Sequence, residues 1–74
     1  MFEILEASIY NSNNTVVSSN VPYFHCPYSS IIGISDISSE KVEIYLVSGL
    51  VVEGLKPENY DSIVGDYALK MRQV

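Results

Sequence analysis

Residues 41 to 74 restrict the fold of this chain more than any other stretch. Val42-Glu43-Ile44-Tyr45-Leu46-Val47 alternates, with Val42, Ile44 and Leu46 on one face and Glu43 and Tyr45 on the other. That is the period of a half-buried strand. Ser48-Gly49 supplies a turn, and Leu50 to Glu53 begins the return strand ahead of Gly54. Pro57 suits the first turn of a helix, whose apolar positions Tyr60, Ile63, Val64, Tyr67, Ala68 and Met71 form one stripe at i, i+3, i+4, i+7, i+8 and i+11. Glu58 and Asp61 near its start, and Lys70 and Arg72 near its end, agree with the helix dipole. Gly65 falls on the polar side and costs about 1 kcal/mol relative to alanine. A strand face and a helix stripe of matching length close on one another. The helix is therefore expected to bury Ile63, Val64, Tyr67 and Met71 against Ile44 and Leu46.

The first half supplies the rest of a sheet. Phe2 to Tyr10 alternates loosely and predicts a strand with a bulge near Leu5-Glu6. Asn11-Ser12-Asn13-Asn14 is a turn by composition, because asparagine tolerates left-handed backbone, and Thr15 to Ser18 returns as a second strand. Val21 to Ser30 reads as an irregular loop, since Pro22 and Pro27 each remove a ladder donor. Ile31 to Ile37 is a β-rich run with Ile32 and Ile34 paired on one face, and Gly33 invites a bulge or a close neighbour. Ser38 to Lys41 turns back into the alternating strand. The order β-β-loop-β-β-β-α predicts a single α+β domain over residues 1–74. Its architecture is a small antiparallel five-stranded twisted sheet or partly open barrel, with one C-terminal amphipathic helix packed on it.

Composition narrows the function. Seventy-four residues are near the size at which one core is only just sufficient. The charged fraction of 18% is below the roughly 25% usual for soluble domains. Such a chain is expected to finish burying its surface against another, as a homo-oligomer or with an obligate partner. Nine carboxylates against four Lys plus Arg give a formal net charge of −5. That sign repels phosphate backbones, so direct nucleic-acid binding is not expected, and it favours a protein partner of basic character. The same charge also serves solubility. Cys26 is the only cysteine, which excludes an internal disulfide and a cysteine zinc cluster. A small secreted domain usually carries staples, so a cytoplasmic setting is expected, that of a host cell if the source is viral. The acidic start Met1-Phe2-Glu3-Ile4-Leu5-Glu6 lacks a basic leader region. No apolar run approaches the roughly 18 residues of a membrane span.

The residues able to carry chemistry are few. His25-Cys26 invites a nucleophile or metal-ligand reading. Adjacent side chains on extended backbone point to opposite sides, however, and no second histidine exists to complete a site. Glu43 and Glu53 read as a cross-strand pair on a solvent face, where like charges repel mildly. Neither glycine turn forms a phosphate-cradling motif. No catalytic residue, cofactor or metal is expected. The aromatics between the prolines, Tyr23, Phe24 and Tyr28 together with His25, are the candidate binding residues, because rigid rings supply contact area at low entropy cost.

Val42 through Gly54, reading VEIYLVSGLVVEG, resembles the first strand-turn-strand of Sm-like RNA-binding barrels, although the helix stands at the opposite end of the pattern and no basic signature follows. Ile31 to Ile63 resembles the hairpin-then-helix pattern of small flagellar FlbD-like proteins. Neither resemblance carries a functional residue onto this chain. The expectation is a small acidic, non-enzymatic protein that acts by binding a protein partner. Inhibitors of host machinery made by phage or mobile elements have this size and charge. The alternatives are an oligomeric small-molecule-binding or sequestering module and an accessory subunit of a larger complex.

Overall fold

The computed structural model describes residues 1–72, with side chains through residue 70. Its elements are β1 (Phe2–Tyr10), β2 (Val16–Cys26), a single 3-10 turn (Tyr28–Ser30), β3 (Ile31–Asp36), β4 (Lys41–Leu46), β5 (Val51–Leu55) and α1 (Tyr60–Arg72). The strands form one sheet in the order β2-β1-β5-β4-β3, antiparallel at every junction. The helix packs on one face. The hairpin that resembles the opening of an Sm-like barrel supplies the fourth and fifth strands here.

The sheet does not close into a barrel: its outer members β2 and β3 each have one neighbour and do not pair with each other. With every junction antiparallel, β2 and β3 run in the same direction. Two edges therefore stay open.

Strand β1 holds the sheet together. Its pairing with β5 runs Leu5 to Leu55 and then Ser8 to Glu53, so β1 carries one extra residue. The expected bulge is there, and Glu6 takes left-handed backbone at φ 48°. It shifts the alternation by one residue, so that Phe2 and Ile4 before it and Ala7 after it all point into the core. Gly54 passes β1 at this point. A Cβ there would overlap Ile4 Cγ2 and lie 2.6 Å from the Leu5 carbonyl oxygen, so no residue with a side chain fits.

Two details depart from the sequence reading. The segment from Val21 to Cys26 is not loop; it continues β2, and only Pro27 to Ser30 leaves the sheet. Because β2 is an edge strand, Pro22 is tolerated, and it lies opposite the bulged Glu6, between the pairs Leu5–Tyr23 and Ala7–Val21. Ile32 and Ile34 do not share a face. A bulge between Ile31 and Gly33 leaves Ile32 unpaired and 68% exposed, while Ile31 and Ile34 face inward.

The helix is anchored by rings. Tyr60 and Tyr67 each meet Phe2 edge-on, at centroid distances of 6.1 Å, and Tyr67 also meets Tyr28 at 5.9 Å. Ile63 is buried, Val64 packs at the core's margin, and Ala68 is exposed. Ile44 and Leu46 lie in the same core, but the aromatic part of the stripe closes on β1 and the 3-10 turn. The expected burial of Met71 concerns a side chain outside the described residues. The helix begins at Tyr60, after a turn in which Tyr60 N–H donates to the Pro57 carbonyl at 3.1 Å.

Three substitutions test this packing by chemical denaturation. Gly54→Ala should destabilise by about 2–3 kcal/mol, an overpacking cost. Gly65→Ala has open space around it and should stabilise by up to about 1 kcal/mol. Ile63→Ala should cost roughly 2–4 kcal/mol.

Candidate functional site

One sheet face lies under the helix; the other faces outward, and strand register assembles its surface. Val16, Tyr10, Val51, Tyr45 and Gly33 stand side by side across all five strands. The alternation of β1, β4 and β5 puts Tyr10, Tyr45 and Val51 opposite in sense to the buried Val42, Ile44 and Val52. This band is apolar where a solvated face would carry serine, threonine or lysine. Val16 is 54% exposed and Tyr45 37% exposed, and Ile32 and the 64% exposed Val47 are among the chain's other uncovered large apolar residues.

The next row is acidic. Ser8, Glu53, Glu43 and Ser35 follow one another across four strands. Glu43 and Glu53 face each other across the hairpin as the sequence indicates. The Tyr45 hydroxyl donates to Glu43, and that bond lifts the Tyr45 pKa above its usual value, with burial and the carboxylate charge adding to it. The third row is Tyr23, Leu5, Leu55 and Lys41. At the β1 bulge a shallow depression of about 180 Å³ brings Glu6, Ser8, Lys41 and Glu53 around Gly54 and Leu55.

The four residues singled out from sequence separate. Tyr23, 51% exposed, and His25 lie on the outward face of β2 with their rings 5.6 Å apart. The Glu3 carboxylate hydrogen-bonds the Tyr23 hydroxyl and raises its pKa, with desolvation second. Phe24 points the other way, pairs with Ile4 and packs against the core. Tyr28 sits half-buried in the 3-10 turn against Tyr67; desolvation first, then a hydrogen bond to Asp66, raises its pKa. Cys26 is buried while His25 is exposed, so the two cannot act on one substrate atom. Burial pushes the Cys26 thiol pKa up, away from the reactive thiolate.

Sequence reasoning passed over Val16, Tyr10 and Val51. Their signal was present as large apolar residues at the outward positions of alternating strands. What it could not give was the register that lines them up.

A separate polar cluster ties the start of the helix to the end of β3. The Tyr60 hydroxyl donates to Asp36 Oδ1 at 3.0 Å, Lys56 Nζ lies 3.4 Å from the same oxygen, and it also sits 4.8 Å above the Tyr60 ring. Burial, followed by the Asp36 hydrogen bond, raises the Tyr60 pKa. Among the described residues, no group of three or more His, Cys, Asp or Glu side chains is arranged to hold a metal ion. No helix among them is long and apolar enough to cross a membrane. Comparison with protein-family models, curated proteins and solved structures found no match.

The Tyr60 cluster has a pH signature. Because folding raises this phenol's pKa above 10.0, its contribution is complete below about pH 10 and is lost as pH climbs toward the folded value. Tyr60→Phe should cost about 1 kcal/mol at neutral pH and flatten the alkaline fall in stability. Denaturation midpoints measured from neutral pH to beyond 10 check both.

Proposed function

We propose that this protein is a non-enzymatic binding domain that docks its helix-free sheet face on a basic surface of a protein partner. The observation that carries this reading is the cross-strand band Val16, Tyr10, Val51 and Tyr45 lying directly beside the Glu43–Glu53 row. Apolar and aromatic area of this kind supplies affinity at the centre of an interface. The adjacent carboxylates supply orientation and attract lysine and arginine. Two copies meeting on this face would bring four half-buried glutamates together, which works against self-association there and for a partner of opposite charge. A reducing cytoplasm goes with this reading, since the lone thiol is buried and unpaired.

The test compares partners captured by the wild-type protein with those captured by surface variants, followed by affinity measurement with the recovered partner. Tyr45→Ala should weaken binding by about 2 kcal/mol and Tyr23→Ala by about 1–2 kcal/mol, in the range of interface hot spots. Circular dichroism should be unchanged in both. Leu69→Ala, an exposed apolar position on the helix, should bind normally. Phe24→Ala should lower stability, because that ring belongs to the core margin. Affinity should fall as salt rises. Equal binding by Tyr45→Ala and the wild type would place the functional surface elsewhere.

A further inference from the structure

The open edge of β3 offers a second kind of surface, which meets the outward face at Tyr45 and Glu43. Edge strands present unpaired backbone groups and are blunted by proline, bulges or charge. Strand β2 is blunted: Pro22 interrupts it, Asn20 takes left-handed backbone at φ 57°, and its register with β1 slips between Ala7 and Ile9 and again at Tyr10. Strand β3 has one slip, at Ile32, and then pairs residue for residue from Gly33 to Asp36. Ile37 gives its N–H to the Lys41 carbonyl at 3.1 Å. By the alternation of an antiparallel ladder, the main-chain groups of Ile34 and Asp36 are then the ones that face the empty side.

Both sides of this edge are shaped to receive side chains. On the inner side a groove of about 450 Å³ runs between β3 and the helix, with Ile34, Val64 and Ala68 along it and Asp36 and Asp61 at one end. On the outer side Gly33 has no side chain, and the Tyr45 ring leans over it, 3.5 Å from where a Cβ would stand. Tyr45 is 37% exposed beside this edge, with the Glu43 carboxylate hydrogen-bonded to its hydroxyl. An added strand alternates its side chains between these two sides. Its apolar residues would enter the groove, and a lysine or arginine would lie on Tyr45 beside Glu43.

We infer that β3 accepts an extended segment of a partner protein, alternating aliphatic and basic residues, as a sixth strand of the sheet. Charge decides the occupant. Asp61 and Glu43 flank the edge beside Asp36, whose carboxylate is already met by Lys56 and the Tyr60 hydroxyl, so that Lys56 is committed there. A second copy of this chain would bring a matching set of carboxylates to the same edge. A basic segment would neutralise them, with the main-chain bonds giving affinity and the groove giving side-chain preference.

The test uses synthetic peptides of about nine residues, a full strand length. One set alternates Val or Ile with Lys or Arg, and a matched set carries Glu at the basic positions. Two further versions of the best binder are N-methylated on alternate amides, one in each phase. Binding to the isotope-labelled protein is followed by NMR and hydrogen exchange. The basic set should bind, and the Glu set should bind at least tenfold more weakly. One phase of N-methylation should abolish binding and the other should not. The Ile34 and Asp36 amides should gain protection from exchange. Asp61→Asn and Ala68→Gln, both at exposed helix positions, should each weaken binding several-fold with the fold intact. Tyr10 and Val51 amide signals should hardly move, which separates this surface from the outward face. The inference is overturned by absence of binding for every peptide up to about 1 mM, the weak end of specific recognition. It is equally overturned by indifference to N-methylation, by shifts confined to the outward face, or by light scattering that shows a dimer built on β3.

Discussion

The whole architecture depends on the crossing of β1 and β5 at Gly54. In the order β2-β1-β5-β4-β3, that junction alone joins the first hairpin to the three-stranded meander. It links residues 41 to 50 positions apart in sequence, so it carries a high loop-closure cost. Two local features make it fit. The bulge at Glu6 shifts the phase of β1 so that Ala7 follows Ile4 into the core, and Gly54 lets the backbones approach with nothing between them. With the junction formed, Phe2 stands under the helix, and the Tyr60 and Tyr67 rings have a surface to close on.

Much of this was legible because it was local. The period-2 alternation from Val42 to Leu46, the turn at Ser48-Gly49 and the 3.6-residue stripe after Pro57 each signal their own structure, as does the irregularity at Leu5-Glu6. Gly49 at φ 94° and Asn14 at φ 66° show the turn residues where their chemistry suits them. Less legible were features decided by neighbours. Pro22 looked like part of an irregular loop, and only the edge position of β2 makes it compatible with a strand. Ile32 and Ile34 looked like a pair because Gly33, which invited a bulge, does not say which neighbouring residue the bulge falls on.

The candidate site divides along the same line. That Tyr45 faces away from Ile44 follows from alternation, and that Glu43 faces Glu53 follows from the hairpin. The neighbours Tyr10, Val51 and Val16 were hidden because cross-strand register is a long-range property. The aromatic cluster at Tyr23 to Tyr28 looked continuous in sequence, yet extended backbone sends Phe24 inward and leaves Tyr23 and His25 outside. Residues adjacent in the chain ended on opposite surfaces, and residues dozens of positions apart became one.

The odd number of strands has a further consequence. Because β2 and β3 run in the same direction, a sheet of this kind could in principle be continued by translation, with the β3 of one molecule beside the β2 of the next. Such a head-to-tail contact does not close on itself; it grows. Pro22, the left-handed turn at Asn20 and the repeated slips of β2 spoil one end of that series. The irregularity of the longest strand thus makes one edge of an open sheet a poor template for a further strand.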